Sequence, residues 1–221
     1  MSITGALSNA MQGLQAAGRG SEVIAANISN ALTPGYGMRI LELSSNASST
    51  NGGVTISGVG RQMNESLAQD KRLAEAANAN ASALHGIYTT IENLVGSPND
   101  PTSLTAQMAV LETDLITAAS RPDAPERLSA ANATASNLAT RFVKASQTLQ
   151  DARTNADRTI GIQVDRLNSA LSQVHSLNKM ITKSQVQGNQ NHALVDQRQM
   201  LIDEISTLVP VRTVPRDNGQ V

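Results

Sequence analysis

Few residues in this chain combine the type and spacing that catalysis or metal binding requires. The histidines His85, His175 and His192 are far apart in sequence, and none has a neighbour at the spacing of metal ligands. Ser129 and Ser146 lie in Ala-rich helical sequence with no base nearby that could activate a hydroxyl. These residue types therefore give no indication of nucleophilic or metal-assisted chemistry.

The densest acidic group consists of Asp196, Asp203 and Glu204. Asp196 is near the start of a predicted helix, and we assign it to the helix dipole. Adjacent helical residues diverge by about 100°, so we assign Asp203 and Glu204 to a solvated face rather than to a paired acid and base. With no acid–base, metal or nucleotide-binding pattern elsewhere, the sequence predicts no enzyme and no cofactor.

The most specific polar stretch is "ANISNALTPGY", from Ala26 to Tyr36. It follows a helical pattern and ends in Pro34-Gly35, which predicts a type II turn with Pro and Gly at its two central positions. Asn27 and Asn30 are three residues apart and therefore share a helix face. Two interpretations stay open: the amides cap the helix end, or they hydrogen-bond the backbone of a neighbouring chain and fix the angle of the turn.

Composition limits the possible partners. The 221 residues carry a formal net charge of -1, from 17 basic and 18 acidic side chains, which gives no basis for binding nucleic acid. The chain contains one Phe, two Tyr, no Trp and no Cys. No apolar run is long enough to cross a bilayer, and the N-terminus lacks the pattern of a cleaved signal peptide. We therefore predict no membrane insertion, and export, if it occurs, without a cleaved signal.

The first helical segment has a narrow apolar seam with alternating spacings of three and four. A seam of this kind is typical of a helix that supercoils with a partner. Because the stripe is rich in Ala and interrupted by glycines, we expect helical order here to depend on assembly. The seam residues are Ile3, Leu7, Ala10, Leu14, Ala17, Ile24, Ile28 and Ala31.

The remaining sequence predicts a mainly α protein, an elongated long-helix bundle or coiled coil with a short β/loop linker and a terminal β segment. Helices are expected at about 61–95, 104–118, 124–184 and 193–208, and a turn signal at Asp217–Gly219 precedes the start of another strand. The predicted domains are an axial coiled-coil helix (1–33), an extended linker (34–60), a helical bundle (61–209) and the start of a further β-containing domain, truncated here (210–221).

Two stretches resemble a known family. Ala26–Tyr36 resembles the N-terminal signature of the axial proteins of the bacterial flagellum, which comprise rod, hook and hook-associated proteins. The matching positions are Asn27, Ile28, Asn30, Thr33, Pro34, Gly35 and Tyr36. The segment "LVDQRQMLIDEISTLVPV" is similar to the branch that forms the first junction between hook and filament, at Leu194, Asp196, Gln197, Arg198, Leu201, Ile202, Asp203, Glu204 and Ile205. The chain departs from the signature at Ala26, often Asn in the family, and at Gly37-Met38, which precede Arg39.

This resemblance implies a structural subunit of the hook–filament junction that is required for filament assembly. Its implied partners are the hook protein, the next hook-associated protein, indirectly flagellin, further copies of itself in a ring or helical layer, and the flagellar type III export apparatus. The implied location is extracellular, on the flagellum. The chain is expected to be an N-terminal portion that lacks the family's outer domain and C-terminal helix. Two alternatives remain: another axial subunit of rod or hook, and a coiled-coil scaffold unrelated to flagella.

Overall fold

A computed structural model describes residues 3–46, 52–97, 99–188, 191–216 and 219–221. The mainly α prediction is confirmed, since five helices and two strands make up the regular structure of these residues. The elements are α1 (Ile3–Ser29), β1 (Met38–Ser45), β2 (Val54–Gln62), α2 (Glu65–Val95), α3 (Leu104–Ser120), α4 (Pro125–Val186) and α5 (His192–Ser206). The chain divides into two compact units, Met1–Ala76 with Leu167–Val221 and Ala77–Arg166.

The linker is more regular than its sequence indicates. β1 and β2 form an antiparallel hairpin in which Met38 pairs with Gln62 and Arg39 with Arg61, with an irregularity between Glu42 and Leu43. The sequence predicted a linker with one or two short extended segments, followed by a helix from about residue 61. The helix instead begins at Glu65, because the residues before it are held in the strand ladder.

In the first unit, α1 lies against this hairpin through one continuous face. The buried or half-buried residues of α1 and the turn after it recur every three or four positions and are mostly small or polar: Gly5, Asn9, Gln12, Ala16, Gly20, Val23, Asn27 and Asn30. The predicted apolar seam is a different face. Ala17 follows Ala16 and Ile24 follows Val23, so the seam lies about 100° around the helix from the covered side.

The second unit is held partly by polar contacts between α3 and α4. Ser103, almost fully buried, caps α3 by accepting a hydrogen bond from the Ala106 amide at 3.1 Å. The Thr134 hydroxyl of α4 donates to Asp114 of α3 at 2.6 Å, and Arg127 donates to the Thr117 carbonyl at 3.2 Å. Together these bonds fix the register of α3 on α4.

The predicted terminal β segment is not seen in the part of the C-terminus that the structure describes. Residues 211–216 and 219–221 contain no strand, and Asp217 and Asn218 of the predicted turn lie outside the described residues. A strand needs a neighbouring strand to satisfy its backbone. Here the segment contacts helices instead: Asn178 of α4 donates to the Val221 carbonyl at 3.1 Å, and Arg198 of α5 donates to the Gly219 carbonyl at 2.6 Å. Within the described part of the chain, no helix has the length and apolar character needed to cross a membrane.

Candidate functional site

The turn after α1 has the predicted type II geometry. The Tyr36 amide donates to the Thr33 carbonyl at 3.2 Å, and Gly35 has a φ of 76°. Gly35 is needed for a second reason, because a Cβ there would lie 2.1 Å from Cγ of Met200. The turn therefore packs directly on Met200 of α5, more than 160 residues after Gly35 in the chain.

Asn27 connects the helix end to the first strand. Its side-chain Oδ1 accepts from the Arg39 amide at 2.8 Å and from the Tyr36 hydroxyl at 2.9 Å, and its Nδ2 donates to the Arg39 carbonyl at 2.8 Å. The backbone that Asn27 binds thus belongs to its own chain rather than to a neighbouring one. The amide sets the angle between α1 and β1 within one subunit.

Among the described residues, the hydrogen bonds of Asn30 are local to the end of α1. Its Nδ2 donates to the Ala26 carbonyl at 2.9 Å, and its Oδ1 accepts from the Thr33 hydroxyl at 3.2 Å. The Thr33 amide also donates to the Asn30 carbonyl at 2.9 Å. This arrangement is of the capping kind, and it involves no residue of the hairpin or of α5.

Asp196 of α5 holds the linker on the helical core. Its carboxylate is paired with Arg39 of β1, accepts from Nε of Arg61 of β2 at 2.8 Å, and accepts from the Gly37 amide at 3.1 Å. The three charged side chains are only 12 to 14% exposed. The Arg39 guanidinium also lies 4.9 Å from the ring centroid of Tyr36. The assignment of Asp196 to the helix dipole was therefore wrong, because its arginine partners lie 135 and 157 residues away in sequence.

The assignment of Asp203 to a solvated face was incomplete, because its side chain is 31% exposed and also pairs with a buried cation. Its Oδ1 accepts from Nε of Arg72 at 2.7 Å, and Arg72 is only 2% exposed. Arg198 is buried as well and donates to Oδ1 of Asn178 at 2.7 Å. Burial lowers the pKa of Arg198, and the like charge of Arg61 lowers it further.

One sequence signal could have identified Arg198. It lies four residues after Leu194 and four before Ile202, which places it on the apolar stripe of α5. Ile202 and Ile205 are buried, whereas Leu194 and Leu201 are half-buried. The family-like segment is therefore the core-facing side of α5 together with two aspartates that bind arginines from other elements.

The predicted apolar seam of α1 is exposed along its whole length. Exposed fractions are 89% for Ile3, 76% for Leu14 and 72% for Ile28, although each of these side chains is large and apolar. Leu7 and Ile24 are exposed too, as are Ala10, Ala17 and Ala31. One face of α1 is thus used within the chain, and the apolar face is left open.

The histidines do not form a site. His192, at the start of α5, hydrogen-bonds the Val59 carbonyl of β2 through Nε2, which adds a further contact between hairpin and core. Across the described ranges, no group of three or more His, Asp or Glu side chains has a geometry that could hold a metal ion.

Comparison with known families gives two matches. The family model described as "Flagella basal body rod protein" matches residues 7–36, which include most of α1 and the turn after it. The model described as "Flagellar hook-associated protein FlgK helical domain" matches residues 88–221, more than half of the chain. The chain belongs to the FlgK family of flagellar hook-associated proteins.

Individual members of the FlgK family show the same similarity. The chain is 29% identical over 222 residues to flagellar hook-associated protein 1 of Escherichia coli, and 27% identical to that of Salmonella typhimurium. Each alignment covers 96% of this chain and 40% of the relative. Flagellar hook-associated protein 1 of Bacillus subtilis is 33% identical over 82 residues, 37% of this chain. The chain therefore spans about two fifths of the E. coli and Salmonella typhimurium proteins. Asp196 lies within the FlgK match and binds Gly37 and Arg39, which directly follow the end of the rod match.

Proposed function

We propose that this FlgK-family subunit forms the junction between hook and filament, and that the filament cannot assemble without it. The observation that carries this role is the arrangement of α1. One face of α1 is fixed to the hairpin, and the hairpin is fixed to α5 through Asp196. A second face, about 100° around the helix, presents exposed large apolar residues such as Leu14 and Ile28. A rigidly mounted apolar helix face suits packing into a ring or helical layer of identical subunits.

The partners we propose are the hook protein on one side and the next hook-associated protein on the other, with flagellin reached indirectly. Since several copies must meet, the open face of α1 is covered by a helix seam, either from the family's C-terminal helix or from another subunit. That the helical order of α1 depends on this contact stays a prediction.

We further propose that the subunit leaves the cell through the flagellar type III export apparatus without a cleaved signal peptide, and that it acts outside the cell on the flagellum. A chain with no Cys and few aromatic residues suits passage through a narrow channel in an unfolded state. We propose that the subunit acts by helix packing and by the fixed turn after α1, with no catalytic step and no cofactor.

The decisive experiment is deletion of the gene, followed by electron microscopy of the cells and an assay for flagellin in the medium. Bare hooks together with shed flagellin are the expected result. Cells without hooks would instead identify a rod or hook subunit, and normal filaments would contradict the proposal.

Complementation of the deletion with variant genes tests the open apolar face of α1. Leu14→Gln and Ile28→Gln change exposed apolar positions, so the protein should fold and be exported but should not restore filaments. Arg19→Gln, an exposed substitution on the same helix, is the matched control and should restore them. Restoration by the Leu14 and Ile28 variants would show that the open face is not an assembly surface.

Asn30→Ala tests the motif itself, because its contacts are local and exposed. We expect it to impair filament assembly more than monomer stability. Equal loss of both would reduce Asn30 to ordinary helix capping.

A further inference from the structure

The interior of the first unit contains a small cavity lined by arginines. It has a volume of about 60 Å³ and lies between the start of α2, α5 and the C-terminal segment. Three guanidinium-bearing residues line it, Arg61, Arg72 and Arg198, together with the hydroxyl-bearing Thr213. Glu65 is the acidic residue of the lining, and it is exposed to solvent. The lining therefore has a marked excess of positive charge.

Two of these guanidinium groups have incomplete hydrogen bonding. Nη2 of Arg72 is buried and has no hydrogen-bond partner among the described residues, while Nη1 reaches the Thr213 hydroxyl only at 3.4 Å. Nη1 of Arg61 donates to the thioether sulfur of Met63 at 3.1 Å, and a thioether is a weak acceptor. Leaving a buried charged donor unsatisfied costs more than leaving a neutral one. Among the described residues, Nη2 of Arg72 and Nη1 of Arg61 thus lack a strong acceptor, although Nε of each arginine binds a carboxylate.

The charges of the surrounding core do not balance. Arg39 and Arg61 share the carboxylate of Asp196, and Arg72 has that of Asp203. In the part of the chain that the structure describes, Arg198 is hydrogen-bonded to neutral acceptors, the Asn178 amide and the Gly219 carbonyl.

Arginine cannot relieve this imbalance by losing its proton at physiological pH, and a buried cation without a counter-charge is strongly destabilising. The lowered pKa of Arg198, caused by burial and then by the charge of Arg61, agrees with this picture.

From this geometry we propose that the cavity is a binding site for a small monovalent anion of halide size. Its volume exceeds that needed for one water molecule, and three arginines are among its lining residues. The bound anion supplies the acceptor that Nη2 of Arg72 lacks, and the counter-charge that Arg198 lacks, among the residues that the structure describes. Because Arg61 also binds Asp196, the anion stabilises the residues that hold the hairpin on α5.

The test uses bromide as the probe. The thermal midpoint of the purified protein is measured by circular dichroism while sodium bromide replaces sodium gluconate at constant ionic strength. Binding to the folded state alone predicts a rise in midpoint that saturates with bromide concentration. A change that continues linearly, or no change, would contradict specific binding.

Two variants locate the effect. Arg198→Met removes the cation without a carboxylate partner and should abolish the bromide-dependent shift. Arg121→Gln removes an exposed arginine of the other unit and should keep the shift unchanged. Loss of the shift in both variants, or in neither, would overturn the assignment to this cavity.

Anomalous diffraction from crystals grown in bromide provides a readout that needs no variant. We expect a bromide peak in contact with Nη2 of Arg72. A cavity occupied by water alone overturns the proposal. A peak at crystal salt concentrations without any saturable shift in solution overturns it too, since it would mark an adventitious ion only.

Discussion

The side chain of Asn27 binds the backbone of Arg39 as a neighbouring strand would. Its carbonyl oxygen accepts from the Arg39 amide and its amide nitrogen donates to the Arg39 carbonyl, both at 2.8 Å. A helix end therefore satisfies the first residues of β1 through one amide, while β2 pairs with the other edge of the strand. Only Asn or Gln offers a donor and an acceptor in this fork, and Asn has the shorter reach.

We expect Asn27→Ala to destabilise the first unit by about 2 kcal/mol, because both backbone groups of Arg39 lose their partner in a half-buried position. The loss should appear as faster amide hydrogen exchange at Arg39 and the neighbouring residues of β1. Asn30→Ala is the control, and its local, exposed bonds predict a cost of about 0.5 kcal/mol. Equal protection at Arg39 in the two variants would mean that Asn27 does not hold the strand.

Asp196→Ala should be among the most destabilising single substitutions in the chain. It leaves two nearly buried arginines, Arg39 and Arg61, without their carboxylate, and the removal of one partner of such a pair costs about 3–5 kcal/mol. Urea unfolding measures the loss. Glu22→Ala breaks the exposed pair with Arg19 and should cost about 0.5 kcal/mol or less. Similar costs for both would place Asp196 among ordinary surface ion pairs.

Gly35→Ala should be destabilising for two separable reasons. The φ of 76° disfavours an L-residue by about 1 kcal/mol, and the added Cβ meets Met200. Met200→Ala in the same chain should remove the second cost and leave the first, so the two substitutions should be non-additive in a double-mutant cycle. Strict additivity would show that the turn does not pack on Met200.

The carboxyl of Asp100 should titrate below its ordinary pKa of 3.8, because it accepts hydrogen bonds from the Thr102 amide and then from the Thr102 hydroxyl. A lowered folded-state pKa stabilises the fold at pH values above 3.8, and this contribution is lost as the pH falls through the folded-state value. Carbon-detected NMR titration should show that Thr102→Ala raises the pKa only part of the way, since the backbone donor remains. An unchanged pKa would show that the hydroxyl contributes nothing.

Local patterns in the sequence were sufficient to predict the helices and the turn after α1. Proline and glycine at positions 34 and 35 dictate a type II turn, and the apolar spacing after Pro125 dictates a long helix, because both depend on backbone geometry over a few residues. In α1, the alternating spacing of three and four residues also identified the apolar seam, which the structure shows to be exposed. The strands of the linker were underestimated, because weak alternation becomes a hairpin only when the pairing partner is known.

The sequence by itself determined the helical class, the end of α1 and the family signature, since these depend on residues close together in the chain. Only the tertiary structure decided what Asp196, Asp203 and Arg198 do. The arginine partners of Asp196 and Asp203 are more than 130 residues away in sequence, and Arg198 is desolvated only once the helices pack. The sequence shows which side chains carry a charge, but the fold determines the counter-charge of each one and its exposure to water.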